Sequence, residues 1–289
     1  MPAMIGSEFH WLFLAAFCAS AFGGALGMAS GIFIVPILTL LFGLDIRVAI
    51  GASIVSVIAC SCASAAPLLR ARLPNVRLAI VLESATTLGA LSGVWLVGSI
   101  PTAWLYALFA LILAISSRQM LARRTVVLSA GPVGTRGLAD RLRLHGSYSD
   151  PASGHSTPYR VDRVPLGLGL MYGAGMISAL LGIGSGVLKI PAMDGALRLP
   201  LKVSSATSNF MIGVTAAASA AAYFARGDID MAIAPPVMLG SVVGAWAGAH
   251  AIVKVPGDKL RIAFIAVLML LAVCMLLAAA GVTLPGAAG

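Results

Sequence analysis

Gly27-Met28-Ala29-Ser30-Gly31-Ile32-Phe33-Ile34-Val35-Pro36 and Gly182-Ile183-Gly184-Ser185-Gly186-Val187-Leu188-Lys189-Ile190-Pro191 are two copies of one motif, set 155 residues apart. Glycine costs up to about 1 kcal/mol per residue in a helix interior relative to alanine, so glycines this dense weaken a helix locally. Each copy lies within an apolar stretch long enough to cross a membrane, which needs about 20 residues. The pair therefore predicts two membrane-embedded helices broken, or folded back on themselves, at equivalent places.

The same offset holds outward from the motifs without a gap. Leu44, Val48 and Ser53 fall on Leu199, Val203 and Ser208, and Ala63 to Ala66 fall on Ala218 to Ala221. Gly89, Gly93 and Pro101 fall on Gly244, Gly248 and Pro256. Chance pairing of Ala and Gly does not carry one offset through Pro and Ser as well, so the chain is an internal duplication. Apolar runs at about 9–43, 48–69, 78–99 and 102–117, and again at about 164–188, 203–224, 231–253 and 262–282, make two blocks of four. The expected architecture is an all-α integral membrane protein of about eight transmembrane helices in two homologous four-helix halves, with broken or re-entrant Gly-rich elements. Its divisions are a first repeat over 1–117, a cytoplasmic loop over 118–163 and a second repeat over 164–289.

Composition agrees: 60% of the 289 residues are apolar and 10% charged, against roughly 25% charged in soluble domains. The net charge of +9 would suggest nucleic acid in a soluble protein, but eight of the nineteen basic residues lie between Arg118 and Arg163. That is the signature of a cytoplasmic loop, so no nucleic-acid partner is expected. The segment lacks apolar periodicity and reads as a mobile loop. Residues 9–26 have no basic region before them and read as a first span rather than a cleaved signal. Cys18, Cys60, Cys62 and Cys274 sit in apolar stretches as packing residues, with no ligand set for a metal; no cofactor is expected.

Positive charge at Arg70, Arg72 and Arg77 places that connection with the 118–163 loop inside, and eight spans put the N-terminus inside as well. In the second half, Lys254, Lys259 and Arg261 bias the equivalent connections the opposite way. An inverted repeat, with an odd number of crossings per half, would account for this; eight full-length spans is the plainer reading, and the choice stays open.

Chemistry converges on the motifs. At a helix break the following half-helix offers unpaired N–H groups and the positive end of its dipole, and Ser30 and Ser185 add small hydroxyl donors, so an anion can be held there. Close helix packing through small residues is the alternative. The candidate substrate-binding set is Gly27, Ser30, Gly31 and Pro36 with Ser53 in the first half. In the second it is Gly182, Gly184, Ser185, Gly186, Lys189 and Pro191, followed by Thr207, Ser208 and Asn209. Glu83 lies within a span and is a candidate for carrying a coupling proton; Lys189 could attract the anion. Either charge is costly in lipid, so each should face the bundle interior, an aqueous path or a partner.

Duplicated half-bundles around a shared site are the architecture of secondary transporters. No H-E-x-x-H, clustered His and carboxylates, or P-loop is present, so no enzyme or ATP-driven pump is expected. Membrane lipid and a small anionic substrate are the expected partners; homo-oligomer formation stays open.

The paired G-x-(G/A)-S-G-x-x-x-x-P motifs, each followed by a short polar turn and an A/G-x-S helix start, resemble the TauE/SafE family of sulfite and organosulfonate exporters over nearly the whole chain outside 118–163. The resemblance implies a multi-pass permease of the cell inner (plasma) membrane, exporting sulfite or an organosulfonate. Uptake of an anion such as thiosulfate by proton or cation symport, and a non-transporting assembly role, are the alternatives. An inside-negative potential contributes about 2.3 kcal/mol per charge per 100 mV toward outward movement of an anion.

Overall fold

The computed structural model describes residues 4–25, 30–70, 73–121, 138–149, 156–251 and 257–281. In the first half, α1 (Met4–Ala25) is followed by the short α2 (Gly31–Leu41) and by α3 (Ile46–Arg70), α4 (Val76–Val97) and α5 (Thr102–Leu121). The second half repeats this order with α7 (Val164–Leu181), the short α8 (Gly186–Leu197), α9 (Leu201–Ala225), α10 (Ala234–Ala251) and α11 (Gly257–Ala279). Between them lie α6 (Leu138–Arg141) and an antiparallel hairpin of β1 (Gly146–Ser149) and β2 (Ser156–Tyr159). The first apolar block of each half is thus two helices, broken at the motif. At about 1.5 Å per residue, α2 and α8 reach only about half-way through a bilayer.

Contacts along the helices decide the relation of the halves. Gly51, near the start of α3, abuts Asp228 beyond the end of α9. Mid-way, the Ser61 hydroxyl donates to the Asn209 carbonyl at 2.7 Å, and past the end of α3 the Asn75 N–H donates to Thr207 Oγ1 near the start of α9, at 3.1 Å. The two equivalent helices therefore run antiparallel, and the repeat is inverted. Crossings follow from this. The α7–α8 pair enters and returns on one face, because the Asp162 N–H, just before α7, donates to the Leu197 carbonyl at the end of α8 (3.3 Å). Each half then has three complete crossings and one re-entrant hairpin, an odd number.

One expectation is corrected here. Running beside α10 in the same direction, with Phe13 against Gly240 and Phe17 against Gly244, α1 starts at the face opposite the β-hairpin. An N-terminus on the same side as the 118–163 loop followed from eight full crossings, and a re-entrant hairpin adds none.

Inversion also removes the charge anomaly. Among the described residues, Arg70 and Arg77 at the facing ends of α3 and α4, Arg118 near the end of α5, Arg141, Arg143, Arg160 and Arg163 around the lobe, Arg198 and Lys202 about the α8–α9 junction, and Lys259 and Arg261 in the first turns of α11 put eleven basic residues at the hairpin face. Of the other described basic residues, Arg47 and Arg226 belong to the opposite face, and Lys189 lies within the bundle. At that opposite face Trp11, Trp95 and Trp104 are exposed by 64%, 80% and 70%, as aromatic side chains are at a membrane–water boundary.

The halves interpenetrate. α1 packs along α10, and α7 along α4, while α3 crosses α9 and α5 lies on α11. Gly89 allows Tyr172 of α7 to approach the α4 backbone, and Gly244 allows Phe17 of α1 to approach that of α10; both members of the second contact are 155 residues from those of the first. Small residues at such crossings replace the hydrophobic drive that lipid cannot supply.

The 118–163 segment is not loop throughout. Ala139, Leu144 and Val161 are buried with Leu78 and Met193, and Asn75 binds this small lobe through its Nδ2, which donates to Leu144 O (2.8 Å) and Tyr159 Oη (3.0 Å). A few apolar side chains suffice to seat it, too few to register as a period. Residues 122–137 and 150–155 lie outside the described residues.

Candidate functional site

Both short helices begin immediately after the motif serine. The Ser30 carbonyl accepts from Phe33 and Ile34, and the Ser185 carbonyl from Leu188 and Lys189 (3.1 and 2.8 Å). Neither serine hydroxyl caps its own helix. The first amides of α8 have no intrahelical partner, which with the helix dipole makes that end attractive to an anion. Gly182 ends α7 with a positive φ of 65°, which lets its N–H reach Ser178 O at 2.8 Å and turns the chain back toward α8. Gly184 follows at φ 68°. Pro36 and Pro191 lie inside α2 and α8, where each removes one helix hydrogen bond.

The structure brings the two motifs together. A side chain at Gly31 would collide with the Gly182 carbonyl and with Ser53, and Ser53 donates to that carbonyl at 2.7 Å. Contact here is backbone to backbone, and it joins the halves. Ser30 is buried with Ser56 Oγ 3.3 Å away and donates to Cys60 Sγ at 3.6 Å.

Around α8 the chemistry differs. Ser185, Ser204 and Ser208 are buried, at 1%, 0% and 0% exposure, and none of their hydroxyls has a hydrogen-bond partner. Ser208 Oγ lies beside Gly186, and Ser204 is one turn away on the same face of α9. One turn into α8, on the same side as Ser185, Lys189 is fully buried. Its Nζ lies 3.3 Å from Glu83 Oε2 of α4 and donates to Thr215 Oγ1 of α9 at 2.6 Å. Thr215 in turn donates to Glu83 Oε1 at 2.5 Å, and Thr87 donates to the same oxygen at 3.2 Å. Both ionisable candidates thus face the protein interior and each other.

The other candidates divide. Thr207 accepts the Asn75 N–H and so faces the α3–α4 connection rather than Ser185. Asn209 enters through its carbonyl, which faces α3. Gly27 lies outside the described residues. Sequence reasoning missed Thr215 and Ser204, although both lie on the helical stripe Ser204-Ser208-Met211-Thr215 of α9 that also carries a candidate. Duplication gives no help, because the positions equivalent to Lys189, Glu83 and Thr215 are Ile34, Met238 and Cys60. The ion pair exists on one side of the pseudo-symmetry only.

The family described as Sulfite exporter TauE/SafE matches residues 12–275, which span both repeats and the segment between them. The chain belongs to the TauE/SafE family. No curated protein and no solved structure matches it. Membership makes this chain a multi-pass membrane permease and not an enzyme.

Proposed function

We propose that this TauE/SafE permease exports sulfite or an organosulfonate across the inner membrane, with the hairpin face in the cytoplasm and the anion held at the start of α8. One observation carries the anion site: a fully buried Lys189 stands one turn from a helix N-terminus at which the buried hydroxyls of Ser185 and Ser208 have no partner. Buried hydroxyls are ordinarily satisfied, and a small tetrahedral or pyramidal oxyanion would accept from the hydroxyls and from the free amides, drawn there by the charge of Lys189. The cytoplasmic placement is supported by the eleven described basic residues at the hairpin face.

Radiolabelled sulfite, thiosulfate and sulfoacetate loaded into proteoliposomes test substrate and direction together. Protein-dependent efflux of sulfite or sulfoacetate is expected. Efflux no faster than from empty liposomes for all three would remove the reading.

A further inference from the structure

The Lys189–Glu83 pair is held partly through a third group. At 3.3 Å it is longer than the roughly 2.7–2.9 Å of a well-formed charge-assisted bond, and the Thr215 hydroxyl bridges both partners, accepting from one and donating to the other. An ammonium has three donors, and Lys189 uses two, on Glu83 and Thr215, leaving one N–H to meet an anion. Among the described residues, the other titratable side chains on the elements around Glu83 are Arg77 on α4, Tyr172 on α7, Asp194 on α8 and Tyr223 on α9. The carboxylate's hydrogen bonds come from Lys189, Thr86, Thr87 and Thr215.

We propose that the substrate anion and Glu83 compete for Lys189, so that Glu83 takes up one proton from water as the anion binds and releases it as the anion leaves. The reason is charge balance. Lys189 and Glu83 together are neutral; an anion pairing with Lys189 leaves the Glu83 carboxylate uncompensated in a low-dielectric interior, where an unpaired charge is far more costly than a protonated acid. Protonation restores neutrality, and Thr87 and Thr215 remain to hydrogen-bond the acid. Proton and anion then travel in the same direction. A monoanion would move without net charge, driven by the combined concentration gradients of anion and proton, whereas a dianion would keep one charge for the membrane potential to act on.

This inference rests on the anion site proposed above, and binding tests it separately from flux. Thiosulfate and 2-hydroxyethanesulfonate stay fully ionised from about pH 5 to about pH 9, so any pH dependence of their affinity belongs to the protein. With purified full-length protein in detergent, calorimetry should show affinity falling up to tenfold per pH unit as pH rises, the slope of one linked proton. Glu83→Gln should bind with the low-pH affinity at every pH and show no slope. Since loss of one partner of a buried pair can prevent folding, the neutral double variant Glu83→Gln/Lys189→Met is the second test, expected to fold and to lose both the affinity and the slope. Affinity independent of pH in the unaltered protein, or an unchanged slope in Glu83→Gln, would overturn the coupling and leave the permease reading in place. Binding of neither anion at any pH would overturn the coupling too, and leave permeation to the flux test.

Discussion

Ser53 and Ser208 hold equivalent positions in the two repeats and do different work. Ser53 is committed to the Gly182 carbonyl, while Ser208 is buried with nothing to bind. Replacing an unsatisfied hydroxyl removes a burden from the empty protein but a donor from the occupied one. Ser185→Ala and Ser208→Ala should therefore leave the melting temperature in detergent unchanged or raised, and weaken sulfite affinity by the roughly 0.5–1.5 kcal/mol of one hydrogen bond. Ser53→Ala should do the reverse, lowering thermal stability by about the same amount and touching affinity little. The glycines divide similarly. A Cβ at Gly186 meets only the flexible tip of Ile212 and passes 3.7 Å from Ser208 Oγ, whereas one at Gly31 meets backbone of the opposite hairpin. Gly31→Val should unfold or destabilise the protein by several kcal/mol, of the order seen for overpacked cores, with Gly186→Ala far milder; thermal unfolding in detergent ranks them.

Among the elements, the lobe formed by α6, β1 and β2 is tied to the bundle by the apolar contacts of Ala139, Leu144 and Val161 and also by Asn75. That one side chain caps α4 by accepting the Leu78 N–H at 3.1 Å and donates to both Leu144 O and Tyr159 Oη. Burial raises the Tyr159 hydroxyl above its ordinary pKa, with the bond from Asn75 opposing the shift, so the phenol stays neutral and able to accept near neutrality. Asn75→Ala removes the cap, worth typically about 1 kcal/mol, together with two lobe contacts. Limited proteolysis between 122 and 163 should become faster than in the unaltered protein. An unchanged rate would mean that the apolar contacts of Leu144 and Val161 hold the lobe by themselves.

At the scale of the whole molecule, an inverted repeat with six complete crossings puts the start of α1 and the end of α11 at the face opposite the lobe. In a background with the four native cysteines replaced by alanine, a cysteine ahead of α1 and one at Ser99 should react with a membrane-impermeant thiol reagent in intact cells. One at Ser147 should react only after permeabilisation. A protected cysteine ahead of α1 beside a reactive Ser99→Cys would restore an even number of crossings to each half. The interleaving of α1 with α10 and of α7 with α4 also means that any rocking motion cannot separate first half from second; the moving bodies must each draw helices from both.

Membrane residence, duplication and the break at each Gly motif were determined by the sequence alone, because each depends on local properties: apolar length, a constant offset, and glycine's cost in a helix. Glu83 and Lys189 were legible as interior groups for the same reason, since lipid rejects an isolated charge wherever it sits in the chain. Their pairing was not, because 106 residues separate them and only the packing of α4, α8 and α9 brings them together. Nor could sequence tell Ser53 from Ser208, or set the orientation of the halves. Those depend on which backbone approaches which hydroxyl and on whether a short helix crosses or returns, and both are decided by contacts between segments whose local sequence is almost the same.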